Sequence, residues 1–174
     1  CLYSGQILSY SKMLGQLHEA GNTTTLAHYL MLLEGAGLIG GLEKYSPSVV
    51  RMKSSSPKLQ VFNNALLSSQ NQLNLSEIKS NPDTWGRVIE SAVGTYLANE
   101  SLRGKFKLFY WRDGNDEVDF IIENKGKLIG IEVKSTYSRN KKGISAFKRM
   151  FSHAKIISVD SKMLPWYEFI KINP

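Results

Sequence analysis

Glu117-Val118-Asp119-Phe120-Ile121-Ile122 and Leu128-Ile129-Gly130-Ile131-Glu132-Val133-Lys134 flank the stretch Glu123-Asn124-Lys125-Gly126-Lys127. Two apolar runs either side of a polar, glycine-containing turn predict a β-hairpin. The β-branched Ile129, Ile131 and Val133 suit a buried strand. Side chains alternate faces along a strand, so Glu132 and Lys134 share one side while Ile131 and Val133 share the other. Asp119 joins the side of Glu132 when the register allows. Charges inside apolar strands are costly unless they are paired or hold a metal. The rest of the chain is therefore organised around the hairpin, which is also the first candidate site.

Working outward, Phe106 to Trp111 reads as a strand entering the hairpin through the turn Asp113-Gly114-Asn115-Asp116. Beyond Lys134 a basic loop leads through Gly143 to a helix around Ile144 to Phe151, and Lys155 to Val159 reads as another buried strand. Upstream, Asp83 or Thr84 caps a helix with the apolar stripe Trp85, Ile89, Ala92, Val93 and Tyr96. Glu90 sits beside that stripe, with Gly86 and Gly94 four residues to either side on the same face. Each glycine costs a helix interior roughly 1 kcal/mol relative to alanine. The pair signals either a close approach of backbone or ligand, or positions needed for helix–sheet packing. Helix, three strands, helix and strand in that order predict a mixed sheet with helices on both faces, the last strand parallel to the third. The class is α/β, or α+β for the chain as a whole.

The first segment, residues 1–67, carries a different pattern. Ser9 or Ser11 caps a helix running through Met13, Leu14 and Leu17 to Ala20, and Gly21-Asn22 stops it. Thr23 or Thr24 caps a second helix with Leu26, Tyr29, Leu30 and Leu33 at helical spacing, ended by Gly35 and Gly37. Two short helices across a glycine-containing turn are a helix-turn-helix signature. Strands over Leu38–Tyr45 and Lys58–Phe62, joined by a loop from Ser46 to Pro57, complete a winged helix. Its DNA-reading version places Thr24, Thr25 and His28 near bases and Arg51 and Lys53 on phosphates. Its alternative is a protein-docking module, since the second helix has few basic residues and carries Glu34. Taken alone, His28 reads as a surface or packing residue. The polar stretch 68–82 reads as a linker, which sets the second domain at 83–174.

The 174 residues carry a net charge of +7, with 42% hydrophobic and 21% charged residues, as a folded, water-compatible chain does. Residues 1–75 hold five Lys/Arg against three Asp/Glu, a balance of +2, whereas residues 76–174 hold seventeen against twelve, a balance of +5. Between Glu132 and Asp160 there is no acidic residue, while Lys134, Arg139, Lys141, Lys142, Lys148, Arg149 and Lys155 fall there. The run suits a polyanionic partner or a solvated basic face. The single cysteine, Cys1, excludes an internal disulfide and a zinc-finger spacing and leads to the expectation of a reducing, cytoplasmic setting. No signal peptide or membrane span is read, so no membrane partner is expected. The chain starts without Met and in mid-pattern, and is expected to be a piece of something larger.

Glu117-Val118-Asp119, followed after a hairpin by Glu132-Val133-Lys134, resembles the PD-(D/E)xK nuclease motif, with Glu90 in the place of its first acidic residue. Tyr110-Trp111-Arg112, Ser56-Pro57-Lys58-Leu59-Gln60-Val61 and Asn64-Ala65-Leu66 extend the likeness over nearly the whole chain. It resembles the C-terminal domain-of-unknown-function region of prokaryotic AAA-type ATPases, a winged helix followed by a restriction-endonuclease-like domain. Val118 stands where proline is common in that superfamily, a change that removes no chemistry. A glycine-rich phosphate loop is absent, so no ATP site is expected in this chain; the ATPase domain would precede it.

The resemblance implies a nucleic-acid partner, DNA first, and Mg²⁺ or Mn²⁺ held by Asp119, Glu132 and the Val133 carbonyl. Glu90 is implied as a further ligand of the same or a second ion, and Lys134 as the group that orients water or neutralises developing charge. Lys141, Lys142, Lys148 and Arg149 are then expected to hold the flanking strand. Set against this nuclease are an internal salt-bridge cluster in a retired site, a non-catalytic DNA-binding or docking module of the ATPase, and a protein-interaction domain.

Overall fold

In the computed structural model, which describes residues 3–15, 21–70, 73–136 and 142–172, local signals start most elements. Ser9 caps α1 (Tyr10–Leu14), and the stretch 16–20, into which the sequence extends this helix, lies outside the described residues. The cap of α2 (Thr23–Gly35) is Asn22 rather than Thr23 or Thr24, because its side-chain oxygen accepts from the Thr25 N–H at 2.9 Å. β1 (Ile39–Lys44) and β2 (Lys58–Val61) pair antiparallel. The loop expected between them contains a helix, α3 (Val49–Ser54), capped by Ser48. Tertiary packing decides this, since Met52 lies against the cluster that includes Phe109 and Phe151.

The described residues of the polar stretch 68–82 carry more regular structure than its composition suggests. It follows the start of α4 (Ala65–Ser69) and holds α5 (Leu75–Ser80). α5 opens with a capping box: Asn74 accepts from the Glu77 N–H, and the Glu77 carboxylate accepts from the Asn74 N–H at 2.7 Å. Asn81 then caps α6 (Pro82–Leu102), where Pro82 occupies a first-turn position that needs no N–H.

β3 (Lys107–Asp113), β4 (Asp116–Asn124) and β5 (Lys127–Val133) follow as an antiparallel meander. Lys125 and Gly126 join β4 to β5 with φ of 49° and 78°. Two consecutive left-handed residues give the turn whose twist matches that of the strands it joins. α7 (Lys142–Met150) crosses over to β6 (Lys155–Val159), which runs parallel to β5 as the element order predicts. A last short helix, α8 (Trp166–Phe169), has no counterpart in the sequence reading.

The sheet order is β2-β1-β3-β4-β5-β6. β1 joins β3 in parallel through the pairs Glu43↔Phe109 and Lys44↔Tyr110, so one sheet continues across residues 68–82. Among the described residues the fold is a mixed α/β arrangement of six strands and eight helices. Alternation along the strands builds two cores. Phe120, Ile122, Ile131 and Val133 pack with Ile89, Val93 and Leu97 of α6, whereas Ile121 and Leu128 pack with Phe147 of α7.

The two glycines flanking Glu90 separate cleanly. A Cβ on Gly94 would lie 2.2 Å from Gln60 Oε1 and 2.7 Å from Phe120 Cζ, so β2 and β4 make the close approach. At Gly86 the nearest atom is Ser135 Oγ at 3.5 Å, an ordinary contact. Gly86→Ala is therefore expected to stabilise the protein by up to about 1 kcal/mol, through helix propensity alone. Gly94→Ala gains the same propensity but should lose about 1–3 kcal/mol to overpacking. Urea unfolding of both variants checks this; equal effects would contradict the packing account.

Candidate active site

The β4–β5 ladder ends at the pair Phe120↔Ile131, and Asp119 and Glu132 are the next residue beyond it on each strand. Opposite residues of an antiparallel pair share a face, which brings the side chains of Asp119, Glu132 and Lys134 to one side. Two irregularities open the sheet there. Between the pairs Phe109↔Ile121 and Trp111↔Val118, β4 carries one residue more than β3. Such a bulge bends the strand and re-aims its side chains, here Asp119. The ladder between β4 and β5 also stops at Phe120↔Ile131, and the Val133 N–H donates to Asp119 Oδ2 at 2.8 Å.

A cleft of about 580 Å³ lies at this split. Glu90 from α6, Asp119 from β4, Glu132 and Lys134 from the end of β5 and Lys142 from α7 all line it. Asp116, Glu117 and Gly143 complete one wall. Only glycine fits at 143, because a Cβ there would stand 2.0 Å from the Glu117 carbonyl oxygen. Close seating of α7 on β4 thus sets Lys142 at the rim.

Behind the acids that line the cleft lies a residue to which the sequence reading gives no role. Lys58, on β2, is completely buried. Its ammonium lies 2.7 Å from Glu90 Oε1, 3.2 Å from Glu117 Oε1 and 3.6 Å from Asp119 Oδ1. It also donates to the Asp119 carbonyl at 3.3 Å and stands 5.1 Å from the centre of the Phe120 ring. β2 is aimed this way by its seat on α6. Gln60 Nε2 donates to Ser91 O at 3.1 Å, Thr95 Oγ1 to Val61 O at 3.0 Å and Asn99 Nδ2 to Phe62 O at 2.9 Å. The sequence carries no signal for it: Lys58 and Gln60 alternate with Leu59 and Val61 as in a half-exposed strand, whereas the structure buries all four.

Charge in the cleft is only partly balanced. Burial, and then the charge of Asp119, push the Glu90 carboxyl up to about 7 although Lys58 pulls it down. The same two causes in the same order push Glu132 up to about 7, against its 2.8 Å ion pair with Lys134. Burial alone would lower both lysines. Carboxylates more than offset it, and Lys58 and Lys134 are held above the ordinary lysine value. Acids with raised values in a cleft mark functional sites more often than structural ones.

Not every expected contact residue is at the cleft. Lys148 and Arg149 are exposed on the last turn of α7, outside its lining, and Lys141 lies outside the described residues. Thr24 and His28 are exposed on α2. Arg51 and Lys53 are exposed on α3 rather than in a loop. None of these four lines the cleft. Val133 does not line the cleft: its N–H donates to Asp119 and its side chain is in the core.

One divalent cation fits part of this donor set. Glu132 Oε2 is buried without a hydrogen-bond partner among the described residues, and the nearby charge of Asp119 helps push its carboxyl up. Asp119, Glu132 and the Val133 carbonyl are hard oxygen donors of the kind Mg²⁺ takes. Glu90 is the poorer ligand, since Lys58 takes its Oε1 at 2.7 Å but stands 3.6 Å from Asp119 Oδ1. Among the described residues no three His, Cys, Asp or Glu side chains form a metal-holding group. The fit is for the two carboxylates of Asp119 and Glu132.

Comparison with known families gives two matches. Residues 85–169 match the family described as Domain of unknown function (DUF4143), and residues 1–79 match Domain of unknown function (DUF8612). The first agrees with the resemblance to a C-terminal region of unknown function. Lys58 falls in one match, and Glu90, Asp119, Glu132 and Lys134 fall in the other, so the ion cluster draws on both. No curated protein and no solved structure matches the chain. Among the described residues no helix is long and apolar enough to cross a membrane.

Proposed function

We propose that the chain is a nucleic-acid-binding, PD-(D/E)xK-type nuclease module that cleaves phosphodiester bonds with Mg²⁺ or Mn²⁺, as the C-terminal part of a AAA-type ATPase. The observation that carries this reading is the meeting of Glu90, Asp119, Glu132 and Lys134 in one open cleft, from a helix and two strands. A surface that merely bound phosphate would gain from losing those acids, since they repel it. The link to an ATPase rests on the sequence resemblance alone.

In this reading Asp119, Glu132 and the Val133 carbonyl hold the ion. Such an ion, when bound, polarises a phosphoryl oxygen and lowers the pKa of a coordinated water. Lys134 is the chain's own contribution to the chemistry. Its side chain is 43% exposed, and its ammonium is fixed by Glu132 at 2.8 Å. From there it donates to a phosphoryl oxygen as negative charge develops. Lys142 at the rim and Lys148 and Arg149 further along α7 take neighbouring phosphates, which positions the strand without reading its bases.

Plasmid and single-stranded DNA cleavage with Mg²⁺ or Mn²⁺ tests the proposal. Asp119→Asn should abolish cleavage, and Lys134→Ala should slow it by about 100-fold or more, the usual loss for one donor to developing charge. A second reading, a non-catalytic module, is favoured by Lys58 standing where a cation would meet Glu90. It predicts DNA retention that weakens steeply with salt and no cleavage with either metal, which would overturn the nuclease. Retention that is indifferent to salt would overturn both.

A further inference from the structure

We propose that Lys58 is the built-in cation behind the acidic wall of this cleft, holding the position between Glu90, Glu117 and Asp119 closed to a divalent ion. The site then accepts one divalent ion at most, on the side of Glu132, and is complete only with β2 in place. The inference rests on the reading of the cleft as a cation site, but concerns a position that reading leaves out.

Four observations carry it. The Lys58 ammonium has three carboxylates within 3.6 Å, from α6 and β4, elements remote from it in sequence. A hard divalent ion would take the same oxygens, so lysine and ion exclude one another. The position is enclosed: Lys58 is 0% exposed, and the Phe120 ring lies across it. Gly5, whose N–H donates to Leu59 O at 2.8 Å, abuts the far side, where a Cβ would stand 3.3 Å from Glu90 Oε1. The lysine cannot simply swing into solvent as a surface residue does, because β2 is fixed to α6 by the Gln60, Thr95 and Asn99 hydrogen bonds. Two-ion sites place their metals close enough to clamp both oxygens of a displacement. Here one of those places holds an ammonium instead, which supplies fixed positive charge but cannot bind or acidify a water as a metal does. Lys58 is on this account a positioning residue: it orders Glu90 and Asp119 rather than touching the reacting phosphate.

Mn²⁺ binding to the full chain, counted by calorimetric titration, decides the matter without reference to cleavage. Lys58→Met should bind one Mn²⁺ per chain more than the parent. Adding Glu90→Gln to that variant should remove the extra ion. A folded Lys58→Met variant with the parent's stoichiometry would overturn the proposal. Should the variant unfold for want of charge balance, circular dichroism and melting in millimolar Mn²⁺ give the answer. Recovery of the fold, or a rise in Tm several degrees beyond the parent's, supports the proposal, since an ion bound to the native state stabilises it by mass action. No recovery with Mn²⁺ would overturn it. A parent that binds no Mn²⁺ and cleaves nothing would sink the nuclease reading instead, while an ion gained by Lys58→Met would still uphold the role of Lys58.

Discussion

Lys58→Met is expected to cost the fold about 3–5 kcal/mol at neutral pH, the usual loss when one partner of a buried ion pair is removed. Glu90 and Asp119 would carry most of it, because Glu117 keeps a third of its side chain exposed and is screened by water. The loss should depend on pH in a defined sense. Glu90 already titrates at about 7 in the folded parent, above its ordinary 4.5. An acid that holds its proton more tightly when folded stabilises the fold at low pH, and that stability drains as pH rises from about 4.5 through about 7. Without Lys58 the Glu90 value climbs further, so the penalty should be greatest at pH above about 7 and shrink toward about pH 5. Urea unfolding of parent and variant at both ends of that window provides the check. A penalty of equal size at each would mean that the changed packing around the new side chain matters, not the charge of the carboxylates.

Phe147→Ala should be comparably damaging, by about 3–5 kcal/mol. Phe147 is fully buried on α7. Its ring meets Trp111 at 5.3 Å and Phe151 at 4.8 Å between centroids, and lies 3.3 Å from where a Cβ on Gly130 would be. The space over β5 is thus shaped by a missing side chain on one element and filled by a large one on another. For a chain of this size the loss corresponds to a fall in Tm of roughly 6–20 °C. Because Lys148 and Arg149 follow on the same helix, DNA retention should weaken with it at low salt. A Tm within two degrees of the parent, in a thermal melt followed by circular dichroism, would show that α7 is not seated as described.

Legibility from sequence differed sharply between the two halves of the site. The hairpin around Lys125-Gly126 follows from turn chemistry, and its register then leaves Asp119 and Glu132 as the next residues beyond the last pair of the ladder. The glycines beside Glu90 announce a close approach, but which of them matters, and to what, depends on where β2 lies. The capping box Asn74 to Glu77 was readable and marks a helix in what composition alone presents as linker. α3 was not readable, since six residues make a helix only when Met52 has a core to meet.

What the sequence by itself determined is the set of local choices: strand or helix, turn geometry, and the alternation that places Glu132 and Lys134 on one face. These depend on neighbours a few residues apart. Tertiary structure alone decided that β1 continues the sheet of β3 through two residue pairs, and that Lys58 reaches Asp119 across 61 residues of chain. No local pattern encodes such a meeting. It is fixed by the burial of β2 against α6 and by the cost of leaving three carboxylates, or one ammonium, unpaired inside the protein.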